Sequence, residues 1–516
     1  MTTRKLLSGP ITLSIATGRT DNILDALQYP LRRAAFYDHI EGHRALLAEV
    51  IAHHLGTKPT DIDISPQEWW RHGSFNLCVP LKINIDCAPS NTPEYAFIRF
   101  PLPYRVGEAS NPGNSDEKLN CEAATYAWLE ENCPSVPIPK LYGFGLSTNE
   151  RFTNASLLPR WSRWFYEARR FFLAAFGLQQ PSQYVRHDSS RFAALDIGYL
   201  LIETITSGDT LSSSWDTKRD ATRLQNLQGD LARIMVSLAR IRLPRIGLFR
   251  LDSNGYLRLD NRPISVQSTI HENEGISLHM SRRTTFSSVQ DFVSSQLKSF
   301  ETRFIKHPNA IDSPEDAWYQ MASLAAAKVV FPQLFRDDLR NGPFVFSLTD
   351  LHRSNIFVDE NWNITCIIDL EFACSWPIEF LQTPYWLGGK FVDEVTSADI
   401  TPLHADFMKH IRREEKLQCR DTDISSIMQQ SWANGTFWVP LALKDPTHFA
   451  AIFYKCILKD YFGFPDEELD NGAYFRFCSR LFHRDASSII DRKLGDRDKY
   501  IKSLTEAFTD TAERPS

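Results

Sequence analysis

The chain has 516 residues, 43% hydrophobic and 23% charged, with a formal net charge of −6. That length argues against one small domain and for two lobes or more, and the mild acidity supplies no global drive toward nucleic acid. Nine dispersed cysteines without a C-x-x-C pair argue against a disulfide framework or a structural zinc and for a reducing compartment.

No apolar run reaches the roughly 18 residues needed to span a bilayer, and no signal-peptide core opens the chain. The first 20 residues hold Arg4, Lys5 and Arg19, many Ser and Thr, and no acid. Such a stretch reads as a mitochondrial presequence or as an ordinary polar terminus. Gly9-Pro10 interrupts a helix there and favours the second, with a cytoplasmic location.

Residues 20–57 read as helical, with the periodic run HRALLAEVIAHHLG ending on Gly56. Gly73-Ser74 then precedes a strand-like alternation, NLCVPLKINI, and a second strand follows in YAFIRFP at 95–101. Residues 103–116 are loop. DEKLNCEAATYAWLEEN (116–132) reads as a helix with Asp116 at its N-cap. A proline-punctuated connection, PSVPIPKLYGFG, leads into another short strand. Residues 151–195 read as an insertion, in which RWSRWFYEARRFFLAAFGL (160–178) forms a basic, aromatic, amphipathic helix. LDIGYLLIETI (196–206) reads as a buried strand. A strongly periodic helix at 224–243 carries Leu227, Leu231, Ile234, Met235 and Leu238 on one face. Residues 286–336 read as mostly helix, and 400–510 as mainly helical. The expected organisation is a helical extension over 1–64, a β-rich N-lobe over 65–205 and a mainly helical C-lobe over 206–516. The fold class is α+β with two lobes.

FVFSLTDLHRSNIFVDENWNITCIIDLEF reads as strand, loop, strand, turn, strand. Phosphoryl transfer from ATP needs a carboxylate to orient and deprotonate the acceptor hydroxyl, and oxygen ligands to hold magnesium. A catalytic Asp followed five residues later by a metal-binding Asn is the kinase spacing, and Asp350 and Asn355 have it. The hairpin made by IFV and ITCII returns the chain and delivers Asp369 fourteen residues after Asn355. D-x-x-x-x-N alone is common. The joint pattern is selective, because a charge that closes a buried strand needs a partner or a metal. His483-Arg484-Asp485 spells a kinase triplet, but Ile490 stands where Asn is required, so it reads as a charged helix face.

The catalytic loop at 348–371, with RFPLPYRVGE, VPIPKLYGFG and SLTDLHRSNIFVD, resembles the aminoglycoside phosphotransferase and choline-kinase-like branch of the protein-kinase-like fold, its fungal members in particular. The likeness spans roughly residues 65–390. It implies a bilobal kinase-like fold that uses ATP and Mg2+, with Asp350 as catalytic base and Asn355 and Asp369 on magnesium. Glu371 suits this branch, which has IDxE where protein kinases have DFG. The same likeness implies that Gly73 and Ser74 cover the phosphates and that Arg99 stands where protein kinases keep a phosphate-pairing Lys. Glu122 would be the ion-pair partner of Arg99, and the backbone at Glu203-Thr204-Ile205 would meet adenine. Leu348 replaces the His that the family usually places two residues before the base.

The expected activity is transfer of the γ-phosphate to a hydroxyl of a small molecule. A catalytically weak or inactive nucleotide-binding scaffold is the alternative, suggested by Leu348 and Arg99. A protein kinase is disfavoured because no DFG, A-P-E or activation segment follows Asp369. Asp466, Glu467, Glu468 and Asp470 are explained better by a solvated loop than by a cationic substrate. Tyr385 and Trp386 are candidates for an aromatic cage, though aromatics are more often core. The helix at 160–178 either touches an anionic membrane or, as the better-supported expectation, packs on its lobe. The acceptor and the oligomeric state are not legible.

Overall fold

The computed structural model describes residues 3–509 apart from 87, 88, 90, 188, 189, 419–422 and 466–471. It opens with a hairpin, β1 (Thr3–Leu6) and β2 (Gly9–Thr12), so Arg4 and Lys5 lie in a strand rather than in an amphipathic helix. Helices α1 (Tyr29–Gly42) and α2 (Arg44–Leu55) follow, and Gly56 closes α2 in the left-handed region.

An antiparallel sheet organises the next 150 or so residues. Its strands are β3 (Ile62–Ile64), β4 (Arg71–His72), β5 (Asn76–Ile83), β6 (Tyr95–Pro101), β7 (Leu141–Gly145), β8 (Arg151–Asn154), β9 (Tyr184–His187) and β10 (Tyr199–Glu203). Their order is β3-β5-β6-β10-β7-β8-β9, with β4 paired to β5. Period-two alternation decides which side chains share a face. Leu77, Val79, Leu81, Ala96, Ile98 and Phe100 point outward and are buried under α1 and α2. The N-terminal helices are therefore the lid of the sheet's outer face. Cys78 and Arg99 are register partners in adjacent strands, and Phe97 lies two residues before Arg99, so all three share the opposite face, which looks into the cleft.

Helix α3 (Asn114–Asn132) connects β6 to β7 and is almost wholly buried. Its N-cap is Gly113, not Asp116 as expected. Asp116 instead accepts hydrogen bonds from Ser147, from the backbone N at 2.8 Å and the hydroxyl at 2.7 Å. The segment 151–195 is more than an insertion, since β8 and β9 extend the main sheet. Helix α4 (Arg160–Ala175) joins these two strands. It does not bury its apolar face on the lobe, contrary to expectation.

The larger lobe contains α5 (Ala221–Ala239), the hairpin β11 (Leu248–Leu251) and β12 (Leu257–Asn261), then α6 (Val266–Asn273), α7 (Val289–Lys306) and α8 (Pro314–Leu334). The segment that carries Asp350, Asn355 and Asp369 follows as β13 (Phe344–Leu348), β14 (Ile356–Val358), β15 (Ile364–Ile367) and β16 (Ala373–Pro377). Helices α9 (Ser397–Gln418) and α10 (Ala486–Thr509) belong to the helical remainder. Leu6 and Ile11 of the first hairpin pack on Tyr500, Leu504 and Phe508 of α10. His483-Arg484-Asp485 is a turn rather than a helix face, with Asp485 accepting from Ser488 N. The architecture is the two-lobed, kinase-like α+β arrangement expected from the sequence. The acidic run at 466–470 lies outside the described residues.

Candidate active site

Strand β13 ends at Leu348, and the next two residues lead into the cleft between the lobes. Leu348 pairs with Ala373 and packs on the core, an apolar role that needs no histidine. Three hydrogen bonds tie the loops around it. Thr349 Oγ1 donates to the Phe372 carbonyl at 2.6 Å, Ile368 N to the Asn355 carbonyl at 2.9 Å, and Trp386 Nε1 to the Leu351 carbonyl at 2.9 Å. The β14–β15 hairpin turns on Asp359, whose Oδ1 accepts from Asn361 N and Asn363 N, both at 2.9 Å.

Asn355 Nδ2 donates to the Asp350 backbone carbonyl at 3.1 Å. That bond fixes the amide's orientation and leaves its Oδ1 without a hydrogen-bond partner among the described residues. Asp369 adopts a left-handed backbone, φ 63°, a conformation that costs free energy in a non-glycine residue and often marks a functional turn. Its carboxylate stands 31% exposed and faces Arg99, whose Nη2 donates to Asp369 Oδ1 at 2.8 Å.

The same guanidinium nitrogen reaches Glu122 Oε2 at 3.0 Å and Glu371 Oε2 at 2.9 Å. The expected Arg99–Glu122 pair is thus formed, but Glu122 is fully buried and serves Arg99 rather than the cleft itself. Glu371 is also buried. It pairs with Lys118 and accepts from Asn76 Nδ2 at 2.8 Å, while Lys118 Nζ donates to Asn76 Oδ1 at 2.6 Å. Lys118 and Asn76 were not read from the sequence. Lys118 lies one helical turn before Glu122, so the spacing already put both on one face.

Helix α3 is held in place from outside the sheet. Asn120 Nδ2 donates to the Leu251 carbonyl at 3.0 Å and its Oδ1 accepts from Leu251 N at 2.7 Å. Arg262 bridges Glu117 (2.8 Å) and Glu272 (2.7 Å), and all three are buried. Gly107 accommodates the approach of α6: its φ is 74°, and a Cβ would sit 2.6 Å from the Glu272 backbone.

Burial dominates the electrostatics. It pushes the Asp350 carboxyl up to about 7, with Lys444 opposing and Asp369 and Glu371 reinforcing. Burial likewise raises Asp369, aided by Glu371 and resisted by Arg99. Glu371 goes the other way, because Lys118 and Arg99 outweigh its burial. Around Arg99, two cations serve three carboxylates, and Glu122 Oε1 and Glu371 Oε1 have no hydrogen-bond partner among the described residues. The surplus negative charge, with the free Asn355 oxygen and the accessible Asp369 carboxylate, is a hard-oxygen set that fits magnesium.

Gly73 and Ser74 form the exposed tip of the β4–β5 turn above this cluster. Gly73 N donates to the Asn76 carbonyl at 2.8 Å, and Arg105 Nε donates to the Ser74 carbonyl at 2.9 Å. The next residue, Phe75, is buried edge-on against Phe372. Nothing lies closer than 3.8 Å to a Cβ at Gly73, so packing does not demand glycine there. Glu203 closes β10 on Lys140: its N–H donates to the Lys140 carbonyl at 2.9 Å and its Oε2 accepts from Lys140 N at 3.0 Å. That N–H is therefore spent within the sheet, which leaves the Glu203 carbonyl and the residues after it as the backbone groups of this segment that could meet a base. The half-buried Ile205 N–H has no acceptor among the described residues.

On the other side of Asp350 lies a cavity of about 190 Å3. Its walls come from Ile264, Phe292, Phe372, Trp376 and Trp386, and among the described residues the charged ones lining it are Asp350 and Lys444. Lys444 Nζ sits 5.4 Å from the centroid of Tyr385 and has no carboxylate within ion-pair distance among the described residues. Asp350 thus lines the cavity and, together with Asp369, a small hollow beside it. Away from the cleft, exposed His39 and Asp196 and half-buried His43 bring ligand atoms within 4.8 Å of one another, a grouping that the cysteine and histidine spacing had not suggested.

Residues 200–380 match the family model of the phosphotransferase enzyme family. Among solved structures, a streptomycin–ATP ternary complex of APH(2")-IIa is 11% identical with a TM-score of 0.35, over 84% of this chain and 98% of that chain. Macrolide 2'-phosphotransferase MphH from Brachybacterium faecium, as apoenzyme, is 11% identical with a TM-score of 0.32, over 79% and 95%. No curated protein sequence matches.

Proposed function

We propose that this chain transfers the γ-phosphate of ATP to a hydroxyl of a predominantly apolar small molecule. The observation that carries the reading is the position of Asp350, which lines the apolar cavity and, with Asp369, the small hollow beside it. An acceptor hydroxyl in the cavity would give its proton to the Asp350 carboxylate while its oxygen bonds to phosphorus and ADP leaves. A carboxyl raised to about 7 suits a base working near neutrality. Asn355 and Asp369 would hold Mg2+, which when bound would offset charge on the phosphates. Arg99, steadied by Glu122, would serve the phosphates, under the turn that carries Gly73 and Ser74. The backbone at Glu203–Ile205 would border adenine, with the Ile205 N–H as donor.

The lining argues against a polycationic acceptor. It offers one carboxylate, already assigned to the base, and one ammonium. Lys444 also occupies the face of Tyr385, so a quaternary amine would find that aromatic surface taken. Transfer from radiolabelled ATP to octanediol, ω-hydroxyoctanoate, ω-amino-octanol and kanamycin tests the reading. The first two should accept phosphate ahead of the two amines, and Asp350→Asn should abolish transfer. Failure of magnesium–ATP to raise the melting temperature would refute it.

The Arg99–Asp369 contact favours one second reading, a nucleotide-binding scaffold without turnover. In that case magnesium–ATP binds, no acceptor is phosphorylated, and Asp350→Asn leaves a residual ATP hydrolysis unchanged.

A further inference from the structure

Helix α4 is inside out for a helix in water. A surface helix ordinarily turns its apolar stripe toward the core. Here Trp161, Trp164, Phe165, Phe171, Phe172 and Phe176 are between 58% and 78% exposed, and no residue of α4 is buried. These positions recur at helical spacing and form one continuous face. The opposite side makes the contacts with the protein, and they are polar. Tyr166 donates its hydroxyl to the Ser182 carbonyl at 2.6 Å, and Arg170 pairs with Glu131 at 3.0 Å. The chain therefore anchors α4 by its polar side and presents the aromatics outward.

Contiguous exposed apolar surface on this scale marks an interaction site. We propose that the outward face of α4 docks onto a bilayer containing anionic lipid. Its composition is that of an interfacial helix: large aromatics on one face, arginines beside them and low overall hydrophobicity. The arginines supply the charge complementarity. Arg160 and Arg169 are exposed, and among the described residues neither pairs with a carboxylate. They stand nine positions apart, about two and a half turns, and so border the aromatic face on opposite sides. From there their guanidinium groups reach headgroup phosphates while the rings enter the acyl boundary. Among the described residues no helix is long and apolar enough to cross a membrane, so α4 lies in the interface plane. The docking is independent of the reaction proposed for the cleft.

Sedimentation of the full-length protein with vesicles of phosphatidylcholine, alone or containing about a third phosphatidylserine, tests the proposal. The expected result is co-sedimentation with the phosphatidylserine vesicles, weakened by salt, with a blue shift of tryptophan emission. Combined Trp161→Ser, Trp164→Ser and Phe165→Ser should abolish it with an unchanged melting temperature, because these side chains are mostly in water. Arg160→Ala with Arg169→Ala, a milder change, should lower affinity for the anionic vesicles about fivefold per arginine. Absence of binding to either vesicle overturns the proposal, as does equal binding to both or binding that survives the serine variant. A lipid-free dimer that the serine variant dissociates would assign the face to a second copy of the chain and also overturn it.

Discussion

Replacing Asp350 with Asn should make the protein more stable and inactive at once. The unfolded chain releases the Asp350 proton near the ordinary carboxylate value of 3.8, whereas burial holds it in the native state to about 7. Between those values the native protein binds the extra proton, so the carboxyl's contribution to stability is present below the unfolded value and is lost as pH rises through the folded one. With the side chain 17% exposed, about three pKa units correspond to about 4 kcal/mol of native-state cost above neutrality. Asparagine, which resembles the neutral acid, avoids that cost. In EDTA and without nucleotide, urea denaturation should show Asp350→Asn about 3–4 kcal/mol more stable than wild type at pH about 8, with the gap closing toward pH about 4. Phosphotransfer by the variant should be absent. A pH-independent gap, or a variant no more stable at the alkaline end, would refute the reasoning. On the proposed reading, the desolvation that destabilises the loop also tunes Asp350 as the base, a trade of stability for function.

Removing Arg262 as Met should cost about 3–5 kcal/mol in urea denaturation, since it leaves Glu117 and Glu272 buried with one cation fewer; a loss under ~1 kcal/mol, within the range of a surface pair, would show that Arg282, whose Nε lies 3.0 Å from Glu117 Oε2, suffices. His404 is buried against Trp432, and burial lowers it to about 4. It contributes stability above its unfolded value that is lost as pH falls, so the deficit of His404→Gln relative to wild type should narrow by about 2 kcal/mol between pH about 7.5 and about 5. A constant deficit would mean that the ring is not held neutral. Lys444→Glu should invert the order of acceptors, with ω-amino-octanol overtaking ω-hydroxyoctanoate in competition for transfer; an unchanged order would remove Lys444 from the acceptor site.

Local pattern made the hairpin between Asn355 and Asp369 readable. Alternation in IFV and ITCII fixed the hairpin, and a hairpin of known length fixes where Asp369 returns relative to Asn355. The cleft face of β6 was equally legible, because a period of two sets Arg99 beside Phe97 and opposite Ile98. Lys118 was partly legible: its spacing from Glu122 gave a shared helix face, but only the folded chain brings Glu371 to that face from 253 residues away.

What sequence alone could not decide was which way a face turns and what it meets. Periodicity established that 160–175 is amphipathic, and the hydrophobic effect then suggested inward packing. Two polar anchors, Tyr166 on Ser182 and Arg170 on Glu131, turn the aromatics outward instead. The cavity beside Asp350 gathers walls from the segments around 264, 292, 376–386 and 444, which share no local signal. The sequence by itself determined a phosphotransfer-like hairpin and its carboxylates, because those are short-range facts of spacing. Only the tertiary structure decided the apolar cavity beside Asp350 and the outward face of α4, because both depend on long-range packing that no periodicity encodes.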